Sequence, residues 1–171
     1  MRNGLYFSTY TNLNWLFVLE NDDYKKIIID SLEFLVINHR IKLYSFVIMS
    51  NHIHLIWLIK KEHILQNVQR DFLKFTGQQI KFKMQAENHP LYEEMIVNAR
   101  DRKVQVWERN GRSFPLYNAE TIKQKFNYIH LNPVRAKMCS QPAEYKFSSA
   151  AFYEDEISDF GMLSHISEVL R

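Results

Sequence analysis

Residues 41–59 read IKLYSFVIMSNHIHLIWLI. β-Branched and aromatic residues fill both halves, and Ser50-Asn51 interrupts them as a tight-turn dipeptide. The pattern predicts a hairpin with strands over Ile41–Met49 and His52–Ile59. Apolar residues occur on both faces of the second strand, so it should be central and covered on both sides. Within it, His52 and His54 stand two residues apart and therefore leave the same face. Two imidazoles can then point at one ion, and a third ligand has to come from elsewhere. Mg²⁺, Mn²⁺ and Zn²⁺ are all candidates: imidazole favours the later transition metals, whereas a phosphate-activating ion must also accept oxygen ligands and keep positions open. On the pair alone, satisfied core histidines remain the more ordinary reading.

Outward from the hairpin, residues 5–19 are apolar and aromatic with polar interruptions, which predicts one long or bent strand or two short ones. Asn21-Asp22-Asp23 supplies helix caps. Tyr24, Ile27, Ile28, Leu32, Leu35 and Val36 then follow at helical spacing, giving an amphipathic helix over 23–38. After the hairpin, residues 62–85 read as a long helix with the stripe Ile64, Leu65, Val68, Phe72, Phe75, and with Arg70, Lys74 and Lys81 as a basic ridge on another side. Residues 86–103 should be helical in part. Val104–Arg109 alternates like a strand, Asn110-Gly111 signals a turn, and Asn118–Leu131 reads as a helix capped by Asn118 over a buried stripe of Ile122, Phe126 and Ile129. From Ala136 onward the chain is loop-rich, with apolar anchors at Tyr145, Phe147, Phe152, Tyr153 and Phe160. The order strand, helix, strand, strand, helix, strand, helix predicts an α+β class: a ferredoxin-like split βαβ antiparallel sheet with an added C-terminal helix.

The whole of 1–171 is expected to form one domain, with its core over about 5–153 and the loop-rich tail over 137–171. Hydrophobic residues make up 46% of the chain and aromatics 14%, which excludes a disordered chain. The single Cys139 excludes an intramolecular disulfide and a cysteine-based zinc knuckle, and fits a reducing compartment. Met1-Arg2-Asn3-Gly4 does not resemble a signal peptide. The longest apolar run is bracketed by Lys42 and Lys60 and is too short to span a bilayer. These features lead us to expect a cytoplasmic protein with no membrane partner. The net charge of +3 permits nucleic acid as a partner without demanding it.

A second informative stretch is Tyr128-Ile129-His130-Leu131-Asn132-Pro133-Val134-Arg135. Tyr128 lies off the buried stripe of the last helix, and Asn132, four residues on, shares its face if the helix persists. Pro133 disfavours helical geometry at Asn132 and could end the helix there. His130 is two residues from Tyr128 and so points away from that face. Any one of the chain's 9 tyrosines is ordinarily a packing or surface residue, and Tyr128 alone would carry no chemistry.

Taken together, these residues carry a resemblance. The His52-Ile53-His54 strand and its flanks look like the HUH motif of single-tyrosine transposases. Tyr128 to Ala136 closely resembles the tyrosine helix of the REP-associated tyrosine transposases, a branch of that group. Pro142-Ala143-Glu144-Tyr145-Lys146-Phe147-Ser148-Ser149 is similar to a stretch that follows it there. The resemblance covers roughly residues 5–153 and rests on three separated motifs. It implies a DNA transposase that nicks single-stranded DNA through a covalent 5′-phosphotyrosine, releases a 3′ hydroxyl and rejoins strands. Tyr128 would be the nucleophile. His52, His54 and Asn132 would hold a divalent metal, Mg²⁺ or Mn²⁺, with glutamine filling the last place in other members. The implied partner is single-stranded DNA that forms hairpins, and the protein would act as a monomer or a homodimer. A phenol is a weak nucleophile at neutral pH, so it needs an adjacent ion or base.

Charge and position suggest Arg70, Lys74, Thr76, Arg109 and Arg112 as DNA contacts, which would give affinity without sequence preference. Trp107 beside Arg109 could stack on a base or belong to the core. Two other readings compete with the enzyme: a catalytically silent protein that binds single-stranded nucleic acid, and a ferredoxin-like regulatory or metal-sensing domain. The second of these leaves Tyr128 and its helix unexplained.

Overall fold

A computed structural model describes residues 4–154 and 159–170; the leader-like test on Met1, Arg2 and Asn3 falls outside the described residues. The hairpin forms where the sequence places it. Strands β2 (Ile41–Ile48) and β3 (His52–Ile59) pair antiparallel, and Met49 N donates to His52 O across the Ser50-Asn51 turn at 2.8 Å. Strand β1 (Leu5–Thr11) pairs with the other side of β3, and the short β4 (Arg112–Pro115) pairs with β1. The sheet order is β2-β3-β1-β4 with all neighbours antiparallel, the ferredoxin-like arrangement.

Strand β3 alternates between two cores. Ile53, Leu55, Trp57 and Ile59 join the cluster built with helices α1 (Asp22–Ile37) and α2 (Leu65–Glu87). Ile56 belongs to a second cluster, which includes Leu5, Phe7, Ile122 and Ile129 and lies under helix α4 (Ala119–Arg135). His52 and His54 have the parity of Ile56, so the strand's own alternation directs both imidazoles to the α4 side. A bulge at Tyr44 shifts the β2–β3 register between Leu43 and Ser45 and brings Ser45 onto the α4 side as well, where it meets His130.

Local signals explain most helix ends. Asn21 Oδ1 accepts from Asp23 N at 2.9 Å to cap α1, and Asn118 Oδ1 accepts from Thr121 N at 2.8 Å to cap α4. Helix α1 ends in a Schellman motif: His39 takes the left-handed position (φ 54), with His39 N donating to Val36 O and Arg40 N to Leu35 O.

The structure corrects several sequence expectations. The first strand stops at Thr11, because Asn14 and Trp15 adopt left-handed backbone (φ 51 and 58) and turn the chain over the hairpin. The buried stripe of α2 runs Val68, Phe72, Thr76, Ile80, Met84, while Phe75 and Ile64 are exposed. Thr76 displaces Phe75 because it meets a polar need in the core: its Oγ1 accepts from Trp107 Nε1 at 3.0 Å and donates to Phe72 O at 2.8 Å. The 86–103 stretch contains one short helix, α3 (Leu91–Glu94). Residues 104–109 do not form the fourth strand. They meet the end of β1 only through the Asn12–Trp107 bridge, and the ladder resumes at Arg112. Gly111 permits this, since a Cβ there would lie 2.7 Å from a ring carbon of Tyr10. Finally, α4 continues through Pro133 to Arg135 rather than ending near Asn132. Pro133 removes the N–H that would bond Ile129 O, but the buried contacts of Ile129 and Pro133 and the bonds from Ala136 N to Asn132 O and Met138 N to Pro133 O carry the helix past it.

The tail runs along the outer edge of β2. Ile48 N donates to Phe147 O at 2.9 Å, Ser149 N to Phe46 O at 3.0 Å and Ser164 N to Leu43 O at 2.8 Å, so that edge is not left open. Tyr145 and Tyr153, expected as anchors, donate their hydroxyls to Ile48 O and Tyr44 O at 2.7 and 2.6 Å. A short helix, α5 (Ala150–Glu154), lies in this segment, followed by a 3₁₀ turn at Ile166–Val169.

Docking of α4 rests on the fully buried Ile122 and Ile129. Ile129→Ala should cost about 2–5 kcal/mol through the cavity it leaves, read as a lower denaturation midpoint in urea with an unchanged slope. A loss below about 1 kcal/mol would show that α4 is held by something other than this contact.

Candidate active site

The site lies where β1, β3 and α4 meet. The rings of His52 and His54 are 4.9 Å apart between centroids, and the ring of Tyr128 lies 5.2 Å from that of His54. Asn132 reaches His52 through a side-chain hydrogen bond that raises its proton affinity. The four residues singled out in sequence are thus brought together within one chain. Tyr128 is 37% exposed, with Phe7 as a second aromatic neighbour at 6.1 Å.

Both imidazoles are oriented by their Nδ1 atoms. Asn51 Nδ2 donates to Trp15 O at 3.2 Å, which fixes that amide and leaves Oδ1 to accept from His52 Nδ1 at 2.7 Å. His52 therefore carries its proton on Nδ1, and its remaining nitrogen, Nε2, is the one left to meet Asn132. His54 Nδ1 lies 2.7 Å from Thr9 Oγ1, its cross-strand partner in the β1–β3 register. His54 Nε2 is buried with no hydrogen-bond partner among the described residues. An N–H orphaned there would cost about 1–3 kcal/mol, so the arrangement that avoids this cost puts the proton on Nδ1. An imidazole held by an oxygen at Nδ1, with its lone pair on Nε2, is the form that metal-binding histidines take, and His52 and His54 each have an oxygen at Nδ1. No group of three or more His, Cys, Asp or Glu side chains suited to a metal occurs among the described residues; beside the two imidazoles stands the Asn132 amide. The residues fit a divalent ion.

Burial pushes the His54 proton affinity down, to a pKa of about 3, aided by the charges of His52 and Lys125. His52 is lowered too, first by burial, with the Asn132 hydrogen bond opposing. Both stay neutral at pH 7, as ligation requires. Two cations flank the tyrosine: Lys125 Nζ and the Arg135 guanidinium each lie 5.7 Å from its ring centre. Sequence reasoning missed both as site residues, although offsets of −3 and +7 from Tyr128 put them on its helix face. Thr9 had no local signal, because its role depends on strand register.

His130 is not part of the site. It is buried on the far side of α4, its Nε2 2.7 Å from Ser149 Oγ and 3.2 Å from Ser45 Oγ. The five suggested DNA contacts fall into three places. Arg70, Lys74 and Arg109 line one groove between α2 and the 101–109 segment, with Lys81 and Arg102 beside them. Arg112 is instead the cross-strand partner of Thr9 and so lies in the same row as His54, with Thr9 between them. Thr76 is 0% exposed, and its hydroxyl is used inside the core, so it is withdrawn from the set. Trp107 is likewise core rather than a surface platform.

The chain shares its fold with a solved REP-associated tyrosine transposase bound to a REP hairpin, at a TM-score of 0.64 and 16% identity over 97% of this chain and 94% of that one. A putative transposase from Deinococcus radiodurans also matches, at a TM-score of 0.49 and 11% identity over 74% of this chain and 92% of that one. No family model matches the chain, and no curated protein does. No helix among the described residues is long and apolar enough to cross a membrane.

Burial lowers the pKa of His130 from 6.5 to about 4. Between those values the unfolded chain binds the extra proton, so stability is full above pH 6.5 and falls on acidification towards pH 4, by on the order of 3 kcal/mol at most from this residue. His52 and His54 add to the same slope, so thermal melts across this range should show it and His130→Gln should lessen it by the His130 share; an equal slope in the variant would place its origin elsewhere.

Proposed function

We propose that this protein cleaves and rejoins single-stranded DNA through a covalent link to Tyr128, as a single-tyrosine transposase. The observation that carries the reading is the contact of the Tyr128 ring with that of His54, whose Nε2 is buried and unpartnered. His52, His54 and Asn132 would hold a divalent ion, Mg²⁺ or Mn²⁺. Once bound, that ion supplies charge neutralisation at a scissile phosphate.

The chain's own residues do the rest. Tyr128 Oη attacks phosphorus, forming a P–O bond to the 5′ side as the P–O3′ bond breaks. The phenolic proton passes to solvent through the exposed side of the ring, and the departing 3′ oxygen takes up a proton as a hydroxyl. Attack by a 3′ hydroxyl on the phosphotyrosine reverses the step and joins strands, because the phosphoester is conserved. Lys125 and Arg135 stabilise the negative charge that accumulates near Tyr128. Phe7, stacked at 5.5 Å against His54, keeps that imidazole in a fixed plane. The groove of Arg70, Lys74 and Arg109 would grip phosphates away from the site, and Arg112 would do so beside it.

The second reading is a protein that binds single-stranded nucleic acid without cutting it. The basic groove favours it, since that groove lies on the α2 side of the sheet, across from Tyr128. The two readings separate in one experiment. Single-stranded oligonucleotides with Mn²⁺ should yield a denaturation-resistant protein–DNA adduct whose phosphotyrosyl peptide maps to Tyr128. Binding without any adduct would select the silent reading, and an adduct on another tyrosine would remove the assignment.

Tyr128→Phe deletes only a hydroxyl. Adduct formation should vanish, DNA affinity should stay within about twofold, and folding stability should change by no more than about 1 kcal/mol. His54→Ala should abolish cleavage at every metal concentration; unchanged cleavage would refute the metal role. Replacing Arg70, Lys74 and Arg109 together by Ala should lower the salt slope of single-strand binding by about 2, roughly 0.7 for each lost phosphate contact. An unchanged slope would remove the groove from the interface.

A further inference from the structure

Trp15 is a large aromatic displayed beside the site rather than packed in a core. It is 62% exposed, and its ring lies 6.0 Å from that of His52. Its backbone is left-handed (φ 58), and so is that of Asn14 before it (φ 51). Two consecutive non-glycine residues in this region are costly and persist only when their surroundings hold them. Here three bonds do so. Asn14 N donates to Glu108 Oε1 at 2.8 Å, Trp15 N donates to Asn12 O at 3.1 Å, and Asn51 Nδ2 donates to Trp15 O at 3.2 Å. The last comes from the same amide whose Oδ1 orients His52. One side chain therefore ties the Trp15 backbone to the imidazole. Burial does not account for a large ring displayed beside the site on strained backbone.

We infer that Trp15 forms a binding site for one unpaired nucleobase, the base next to the scissile phosphate, which stacks on the indole. The inference rests on the single-strand reading of the Tyr128 site and adds the element that selects unpaired bases. An indole displayed at a distance of one ring from His52 offers a π-face to any base, so it favours single strands over duplex without reading sequence. The pinned loop presents that face before DNA arrives, so little ordering is left for binding to do. Lys125 and Arg135 on the Tyr128 side receive phosphate, while Trp15 on the His52 side receives the base.

Intrinsic fluorescence can test this, because the other two tryptophans, Trp57 and Trp107, are buried. The full chain carrying Tyr128→Phe, which binds without reacting, is titrated with an unstructured oligonucleotide and with blunt duplex. The single strand should quench the exposed indole, and the duplex should not. Trp15→Asn tolerates left-handed backbone but has no ring; it should abolish the quench and weaken single-strand binding about tenfold or more. Trp15→Tyr should restore most of the affinity. Unchanged affinity in Trp15→Asn would overturn the base site and leave the Tyr128 reading standing, since adduct formation by the parent chain tests that separately. Equal quenching by duplex would also overturn it. A parent chain that binds no single strand and forms no adduct would overturn both.

Discussion

The period of strand β3 is the constraint on which everything else depends. A β-strand sends successive side chains to opposite faces, and β3 has a packed core on each. Slipping it by one residue against β1 would turn Trp57, which is wholly buried, towards α4 and both imidazoles into the apolar core under α1 and α2. Burying two imidazoles there without partners would cost several kcal/mol. The hydrophobic pattern that folds the sheet therefore also aims the histidines. The same register sets Thr9 opposite His54 and Arg112 opposite Thr9, which makes a polar row across three strands.

On this frame the site is built by orientation rather than by charge. Asn51 and Thr9 hold the two Nδ1 atoms, and the two rings lie 4.9 Å apart with Nε2 left as the lone-pair nitrogen of each. Desolvation keeps both rings neutral and so able to donate lone pairs. The cations come from α4, and they surround the tyrosine rather than the histidines. This segregation suits a phosphodiester, whose negative charge needs both a cationic wall and a neutral ligand set for an ion.

Where signals were local, they could be read directly in the chain. The hairpin, the Asn21 and Asn118 caps, the shared face of His52 and His54, and the four-residue step from Tyr128 to Asn132 each follow from spacing within one element. The misses came from tertiary competition. Phe75 fits an apolar stripe better than Thr76 does, but Trp107 Nε1, thirty-one residues away, needed an acceptor inside the core. Val104–Arg109 alternates as a strand should, yet Leu13 N and Thr11 O take up its backbone as a loop beside the end of β1. Pro133 signals a helix stop that buried contacts under α4 override. Trp15 was unreadable for another reason: nothing local marks a tryptophan as left-handed and exposed.

The central claim is that two imidazoles and one amide form a divalent-ion site against a tyrosine of the same chain. Anomalous diffraction from crystals soaked in Mn²⁺ tests it most directly. The expected result is one strong peak within about 2.3 Å of Nε2 of both His52 and His54, on the Tyr128 side. A peak elsewhere, or none at saturating Mn²⁺ with both histidines ordered, would contradict the account.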